Sequence, residues 1–355
     1  MRSMHVIGSR EEGGAERFYL RLMRALVANG EDVLFVLRPS SVLMERLPAG
    51  VQVETVRMRS VFDPFARARM SSLARAFDAQ VVQTYLGRAT RLTRMPTKSS
   101  KIVHVAWIGG RYDLKGYRHA NAWIASTDAI SQYLIDGGMP PDRVFKIRNL
   151  VDEPALVPNN ERAVLRYDLG LKESDSLLIC VGRLHRDRGV DLALDALAKL
   201  PHKVHDSELH LLVVGDGPQR IALQQQAAQL GIAGRVHWVI GAANPHPYAS
   251  LADLLLYPSR DAALETVVLE GWSYGLIAVA TKTAGPNELI REGETGFLSA
   301  VDDVDAFAAA ILKGLELDQS ARERMRAAVQ LKLTGEHSAE AVAAAHVEVY
   351  RKLVS

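Results

Sequence analysis

The sequence predicts an α/β protein built from two doubly wound, Rossmann-like domains. Three observations predict it. The chain has 355 residues, which at ~150 residues per domain suggests two of them. Short β-branched or apolar runs alternate with helical patterns along its length. The alternation breaks once, at 149–160, where Pro154 and Pro158 sit in a stretch with little periodicity that reads as a linker. Alternation of this kind implies parallel sheets covered by helices on both faces.

In the first half, strands are expected at 5–7, 33–37, 51–55, 79–83 and 102–106, then at 123–125 and 144–147. Between the first two, Phe18, Leu22, Ala25 and Leu26 recur at helical spacing, and Asn29-Gly30 supplies the stop. In the second half, strands are expected at 177–181, 209–214, 236–240, 254–257 and 277–280. Helices are expected there at 190–200, 219–230, 267–273, 304–315 and 321–332. After Ser338, which suits an N-cap, Val342, Ala345, Val349 and Leu353 form one apolar stripe. Pattern alone leaves open whether this last helix packs on its own domain or crosses to the first. The expected domains are 1–150 and 151–337, with 338–355 as the last helix.

With 48% hydrophobic and 24% charged residues, composition excludes fibrous, collagen-like and wholly disordered readings. The one cysteine, Cys180, can make no internal disulfide and lies in the apolar run 177–181, so it reads as a small buried hydrophobe in a reducing compartment. No apolar stretch approaches the ~18 residues of a membrane-spanning helix, and the N-terminus lacks a signal peptide's apolar segment. A cytoplasmic protein is expected. The total charge of +2 hides an asymmetry. Residues 1–150 hold 23 Lys and Arg against 13 Asp and Glu, a net of +10; the remainder nets −8. Such a split points to a nucleic acid, a membrane surface or an anionic acceptor on one half only.

Doubly wound sheets bind ligands outside the carboxyl ends of their strands, so the chemistry is sought in loops that follow strands, in a cleft between facing domains. After the first strand, Gly13 and Gly14 precede a helix; they either admit an anion close to the backbone or simply shape a tight turn. After the first strand of the second half, Arg183 and Arg188 are placed to clamp a diphosphate with their guanidinium forks, or are exposed surface arginines. Gly215-Asp216-Gly217-Pro218 is a strand-turn-helix joint in which the carboxylate favours the helix N-terminus. In the dense segment 257–275 a helix begins near Thr266. It offers the N–H groups of Glu265, Thr266 and Val267, and it carries Glu270 one turn on between Leu269 and Trp272. Two loop-rich joints, 284–290 and 292–297, follow. No His/Cys/Asp set has metal-ligand spacing, no dinucleotide fingerprint occurs, and neither a Walker loop nor a nucleophile elbow is present.

Taken in order, several motifs resemble the retaining glycosyltransferases of the GT-B fold, group 1 or family 4. They are Gly13-Gly14-Ala15-Glu16, Gly182-Arg183-Leu184 with a cation at 188, Gly215-Asp216-Gly217-Pro218, the 258–275 segment, and 285–290 with Gly293-x-Thr295-Gly296. Arg111-Tyr112-Asp113-Leu114-Lys115 and Pro258-Ser259-Arg260 look similar to bacterial enzymes that build lipopolysaccharide or other surface glycans. The resemblance implies a nucleotide-diphosphate sugar, of UDP or GDP, as co-substrate, with no cofactor and no metal. Gly13 and Gly14 would approach its phosphates or sugar, Arg183 and Arg188 would hold the diphosphate, and Glu270 would hold the ribose. It also returns the C-terminal helix to the first domain.

The chain departs from the family at three points. Arg188 stands where Lys is usual. Ala262 replaces the first of two glutamates spaced seven apart, and Glu265 stands where glycine is usual, so Glu265 either substitutes for the lost carboxylate or obstructs the sugar pocket. A first-domain histidine usual in a loop has its nearest counterpart in His104, inside a strand pattern, where it reads as a packed residue. The family's first domain takes the acceptor. Here residues 57–101 hold ten cations against Asp63 and Asp78. Arg57, Arg59, Arg67, Arg69 and, further on, Lys115 thus suit a phosphorylated or lipid-linked glycan acceptor, peripheral contact with the inner membrane's cytoplasmic face, and no nucleic acid. The rival readings are another GT-B enzyme, such as a phosphorylase, and a degenerate homologue that binds nucleotide without turnover.

Overall fold

A computed structural model describes residues 1–355 apart from 12, 49, 96–101, 243 and 265. The chain divides into two compact units, Met1–Val151 with Gly335–Ser355, and Asp152–Thr334.

The first unit runs β1 (Arg2–Ile7), α1 (Gly14–Ala28), β2 (Asp32–Leu37), β3 (Gln52–Thr55), α2 (Pro64–Ala76), β4 (Val81–Tyr85), α3 (Leu86–Leu92), β5 (Val103–Ile108), β6 (Ala122–Ala125), α4 (Asp128–Asp136) and β7 (Val144–Lys146). All seven strands are parallel, in the order β3-β2-β1-β4-β5-β6-β7. Every residue of β4 is buried, as a central parallel strand requires; this is why it reads as a continuous run rather than an alternating one. α1 buries Phe18, Tyr19, Leu22, Met23, Ala25 and Leu26, and ends where Gly30 turns left-handed at φ +77°. The glycine stop expected from sequence is in place.

The second unit runs α5 (Asn159–Asp168), β8 (Ser176–Val181), α6 (Val190–Lys199), β9 (Lys203–Val204), β10 (Ser207–Val214), α7 (Arg220–Gln229), β11 (Val236–Val239), α8 (His246–Ala249), β12 (Leu254–Tyr257), α9 (Thr266–Ser273), β13 (Ile277–Thr281), α10 (Ala284–Leu289), β14 (Gly296–Ser299), α11 (Val304–Leu315) and α12 (Gln319–Thr334). Its main sheet is parallel in the order β11-β10-β8-β12-β13-β14, with β9 antiparallel to β10. Five elements of this unit lie outside the sequence expectation: α5, β9 and α8, and two in segments expected to be loop-rich joints. The joint 284–290 is a short helix, and 292–297 runs into a strand. Both were masked by Gly and Pro, which read as loop residues until Gly296, at φ +156°, is seen pairing beside β13.

The chain closes with α13 (Ala339–Val354), capped by the Ser338 side chain and belonging to the first unit. Val342, Ala343, Val347 and Tyr350 are buried in the same cluster as Phe18, Tyr19 and Leu22 of α1. A buried polar chain fixes the docking. Tyr350 donates to Gln83 Oε1 at 2.5 Å and Gln83 Nε2 donates to the Tyr85 hydroxyl at 2.6 Å. That hydroxyl meets His5 Nδ1 at 2.9 Å, and His5 Nε2 meets Ser3 at 3.0 Å. Each polar group removed from water is matched in turn, so the helix has one register on the sheet.

Candidate active site

In the second sheet the strand order reverses at β8, whose neighbours are β10 and β12. A crevice is expected beyond the carboxyl ends of these strands. A cavity lies there, lined by Val181, Gly182, Arg183, Leu184, Arg188, Tyr257 and Pro258 among others. The two arginines singled out by sequence are therefore brought together on one cavity. Arg183 is exposed, with no side-chain hydrogen bond or ion pair among the described residues, so its five donors face solvent. Arg188 is half-buried and donates to the Tyr257 hydroxyl at 2.8 Å, which fixes its guanidinium against the end of β12.

The turn carrying Arg188 is held by backbone geometry that only glycine meets. Gly189 has φ +66°, and a Cβ there would stand 1.9 Å from the Pro258 carbonyl oxygen. Gly215 does the same for the neighbouring strand end, with a Cβ 1.9 Å from the Gly182 carbonyl oxygen. Asp216, at the next position, accepts from the Gly217 N–H at 2.8 Å and pairs with Arg220, as expected for a residue serving a helix N-terminus.

Arg260 binds the same turn from the other side. It forms a bidentate pair with Asp191 at 2.8 and 2.7 Å, an ion pair with Asp302 at 2.6 Å, and donates to the Arg186 carbonyl at 2.8 Å. Its backbone N–H and the Ser259 hydroxyl both donate to the Asp187 carbonyl. These charge-assisted bonds, that to Asp191 first, hold the Arg260 pKa above its ordinary value. No local feature of the sequence signals this role of Arg260, because Asp191 and Asp302 are 69 and 42 residues away.

Thr266 and Val267 open α9, and Glu270 is buried on it beside Leu269 and Trp272. None of the three lines the cavity of the two arginines. Glu265 lies outside the described residues. Ala262 is buried, and its carbonyl accepts from the Gly285 N–H at 2.8 Å. Cys180 lines the cavity, but burial pushes its thiol up to about 12, so it is an inert packing residue at neutral pH.

In the first sheet the order reverses at β1, between β2 and β4. Gly13 and Gly14 follow β1 and open α1. A Cβ on Gly14 would meet nothing within 4 Å, so the fold itself leaves that space open. Glu16 on the same turn is buried. His104 is buried in β5, with Nε2 against Thr84 Oγ1 at 3.0 Å; burial first, then His119, lowers its pKa to about 3. It is a neutral packed residue.

The basic set divides in three. Arg57, Arg59 and Arg69 line one groove with Asp63 and Phe65. Arg67 turns to the Val61 carbonyl at 3.4 Å. Lys115 lies on a separate turn capped by Asp113 and lines neither that groove nor its neighbour around Arg88 and Arg111. Arg69 pairs with Glu54 at 3.0 Å, a carboxylate just outside the stretch counted as basic. Asp63 caps α2 by accepting the Ala66 N–H, and that bond lowers its pKa. Two aromatic residues complete this surface: Phe62 and Phe65 are 78% and 85% exposed. Paired exposed aromatics flanked by arginines are a pattern that the charge count alone passes over.

Two parallel, doubly wound units, each with its strand-order reversal beside glycine-rich or arginine-bearing loops, define the GT-B class of glycosyltransferase folds. A glycosyltransferase from Rickettsia africae has this fold with a TM-score of 0.85 at 16% identity, over 100% of this chain and 98% of that one. Anabaena Alr3699/HepE, solved in complex with UDP and glucose, does so with a TM-score of 0.80 at 19% identity, over 99% and 100%. Residues 12–153 match the Glycosyltransferase Family 4 domain and residues 161–332 match Glycosyl transferases group 1. The chain therefore belongs to the group 1 and family 4 glycosyltransferases. It is similar to the lipopolysaccharide core biosynthesis glycosyltransferase LpsE of Rhizobium meliloti, 26% identical over 341 residues and 96% of each chain.

Proposed function

We propose that this glycosyltransferase moves a hexose from a nucleotide-diphosphate sugar of UDP or GDP to a glycan or lipid-linked anionic acceptor, with retention, in the building of lipopolysaccharide or another surface polysaccharide. The observation that carries the reading is the placement of Arg183 and Arg188 on one cavity at the switch point of the second sheet. In the reaction, the bond between the anomeric carbon and the β-phosphate oxygen breaks. The acceptor hydroxyl oxygen bonds to that carbon from the same face, and its proton passes to the departing diphosphate. Negative charge grows on the diphosphate as the bond stretches. Two guanidinium groups, that of Arg188 held by Tyr257, stabilise that charge in place of a divalent ion. Arg188, already oriented by Tyr257, needs little reorganisation to do so. Gly13, Gly14 and the N–H groups of Glu265, Thr266 and Val267 contact the phosphates and sugar in this reading, and Glu270 accepts from the ribose hydroxyls. The acceptor and the anionic inner face of the membrane lie on the side of Arg57, Arg59, Arg67, Arg69 and Lys115. The named activity of LpsE supports the pathway, and the UDP in Alr3699/HepE supports the donor class.

The test is calorimetry against a panel of nucleotide-diphosphate sugars, followed by transfer assays with and without chelator. One donor is expected to bind and to turn over in both. Arg183→Ala is expected to weaken nucleotide-diphosphate binding about 10- to 100-fold, the worth of a charge-assisted hydrogen bond, and nucleoside binding hardly at all. Equal loss of both would sink the diphosphate role. Binding without turnover across acceptors would favour the degenerate homologue.

A further inference from the structure

At the other end of β8 and β10, away from the cavity, three potential ligands converge. Asp175 immediately precedes β8, and Glu208 and His210 lie on the first half of β10. The parallel register sets His210 opposite Leu177 and Val214 opposite Val181, so His210 sits about 13 Å along the strands from their carboxyl ends, at ~3.3 Å per residue. One ligand atom from each residue lies within 4.8 Å of the others. His210 Nε2 is 3.6 Å from Asp175 Oδ2 and 3.9 Å from Glu208 Oε2. These spacings are close to the edge of a tetrahedron of ligands about 2.1 Å from a central ion.

The imidazole itself points to an occupant. His210 is 8% exposed, and its Nε2 is buried without a hydrogen-bond partner, aimed between two carboxylates. A buried ring nitrogen so placed is costly unless something satisfies it. Its other nitrogen, Nδ1, lies 3.1 Å from His237 Nε2. His237 is on β11 opposite Leu212, hence diagonal to His210 on the same face. With Nε2 on a metal, Nδ1 carries the proton and donates to His237, the outer-sphere arrangement that fixes a ligating ring. Two cations border the cluster. Lys172 pairs with Glu208 Oε1 at 3.2 Å and leaves Oε2 for the site, and Arg235 faces His210 from the turn before β11.

We infer that Asp175, Glu208 and His210 form a divalent cation site, remote from the arginine cavity, with His237 as its outer support. One imidazole and two carboxylates suit Zn²⁺, with water completing the shell. The ion ties the turn before β8 to β10 and so braces the sheet's centre rather than taking part in transfer. No local spacing announces it: Asp175 is brought to Glu208 and His210 only by strand pairing.

Full-length protein freed of any affinity tag is titrated with Zn²⁺ by calorimetry and with Co²⁺ by visible absorption. One equivalent of each is expected, with the ligand-field bands of a low-coordinate Co²⁺ site and a melting temperature raised by Zn²⁺. Glu208→Gln, at a partly exposed side chain, is expected to abolish the Co²⁺ bands, and His210→Gln likewise. His237→Gln is expected to weaken binding about 10- to 100-fold. Absence of a bound equivalent would overturn the site, as would binding that survives Glu208→Gln unchanged. If His210→Gln does not fold, Glu208→Gln decides alone.

Discussion

Arg260 shows how a residue outside the cavity governs it. Its guanidinium joins Asp191, Asp302 and the Arg186 carbonyl, and so holds the turn on which Arg188 sits. Lysine keeps the charge but cannot make the paired bonds to Asp191. Arg260→Lys is therefore expected to lower nucleotide-diphosphate affinity about tenfold, from ~1.4 kcal/mol of lost positioning, while nucleoside binding holds. Calorimetry with both ligands reads this directly; an unchanged diphosphate affinity would mean the turn is fixed by Gly189 and Pro258 alone. The contrast with Arg183 is instructive. That residue was legible from sequence because it follows a strand. The role of Arg260 was not, because its partners come from three other segments.

At the scale of elements, the connection from β3 to α2 and the first turn of α2 form one surface. Phe62 and Phe65 project from it, flanked by Arg57, Arg59 and Arg69. Aromatic side chains that enter an acyl boundary and cations that meet anionic headgroups together give reversible adhesion. No helix among the described residues is long and apolar enough to cross a membrane. Co-sedimentation with vesicles of mixed neutral and anionic lipid is expected to fall roughly 10- to 100-fold for the double variant Phe62→Ser/Phe65→Ser. Leu156→Ser, at a residue 96% exposed in the other unit, is the control and is expected to change nothing. Equal sedimentation of all three proteins would remove the membrane from this surface. The C-terminal helix makes a related point about legibility. Its apolar stripe was readable, but its docking site depended on Tyr350 meeting Gln83, 267 residues away.

Over the whole molecule, the most strongly depressed histidines lie in the first unit. His5, His104 and His346 are all buried there, and burial, joined by neighbouring rings for the first two, lowers them to about 3, about 3 and about 4. Each is neutral when folded and titrates near 6.5 when unfolded. Below about 6.5 the unfolded chain binds protons that the folded chain refuses. Their contribution is thus complete above that pH and is lost as pH falls toward about 4 for His346 and about 3 for His5 and His104. Each loses at most roughly 2 kcal/mol between pH 7 and pH 5, at ~1.4 kcal/mol per pH unit. Thermal melts are expected to shift down over that interval, with hydrogen exchange accelerating first in 1–151 and 335–355. Melts that coincide at pH 5 and 7 would show that these histidines are protonated in the fold.

Legible along the chain itself are the alternation of strand and helix, the stop at Gly30, the two doubly wound units, and Arg183 and Arg188 at a strand's end. Those are local facts: apolar runs, backbone dihedrals and the placement of residues within one loop. The sequence also yields the charge split, +10 before residue 150 and −8 after, though not the exposed Phe62 and Phe65 that give the basic side an apolar edge. Tertiary structure alone decided the rest. It set Arg260 behind the arginine turn, seated α13 on α1, and gathered Asp175, Glu208 and His210 at the far end of the sheet. The reason is common to all three. Parallel strands join residues dozens of positions apart, and no periodicity within one segment records which partner its neighbour will bring.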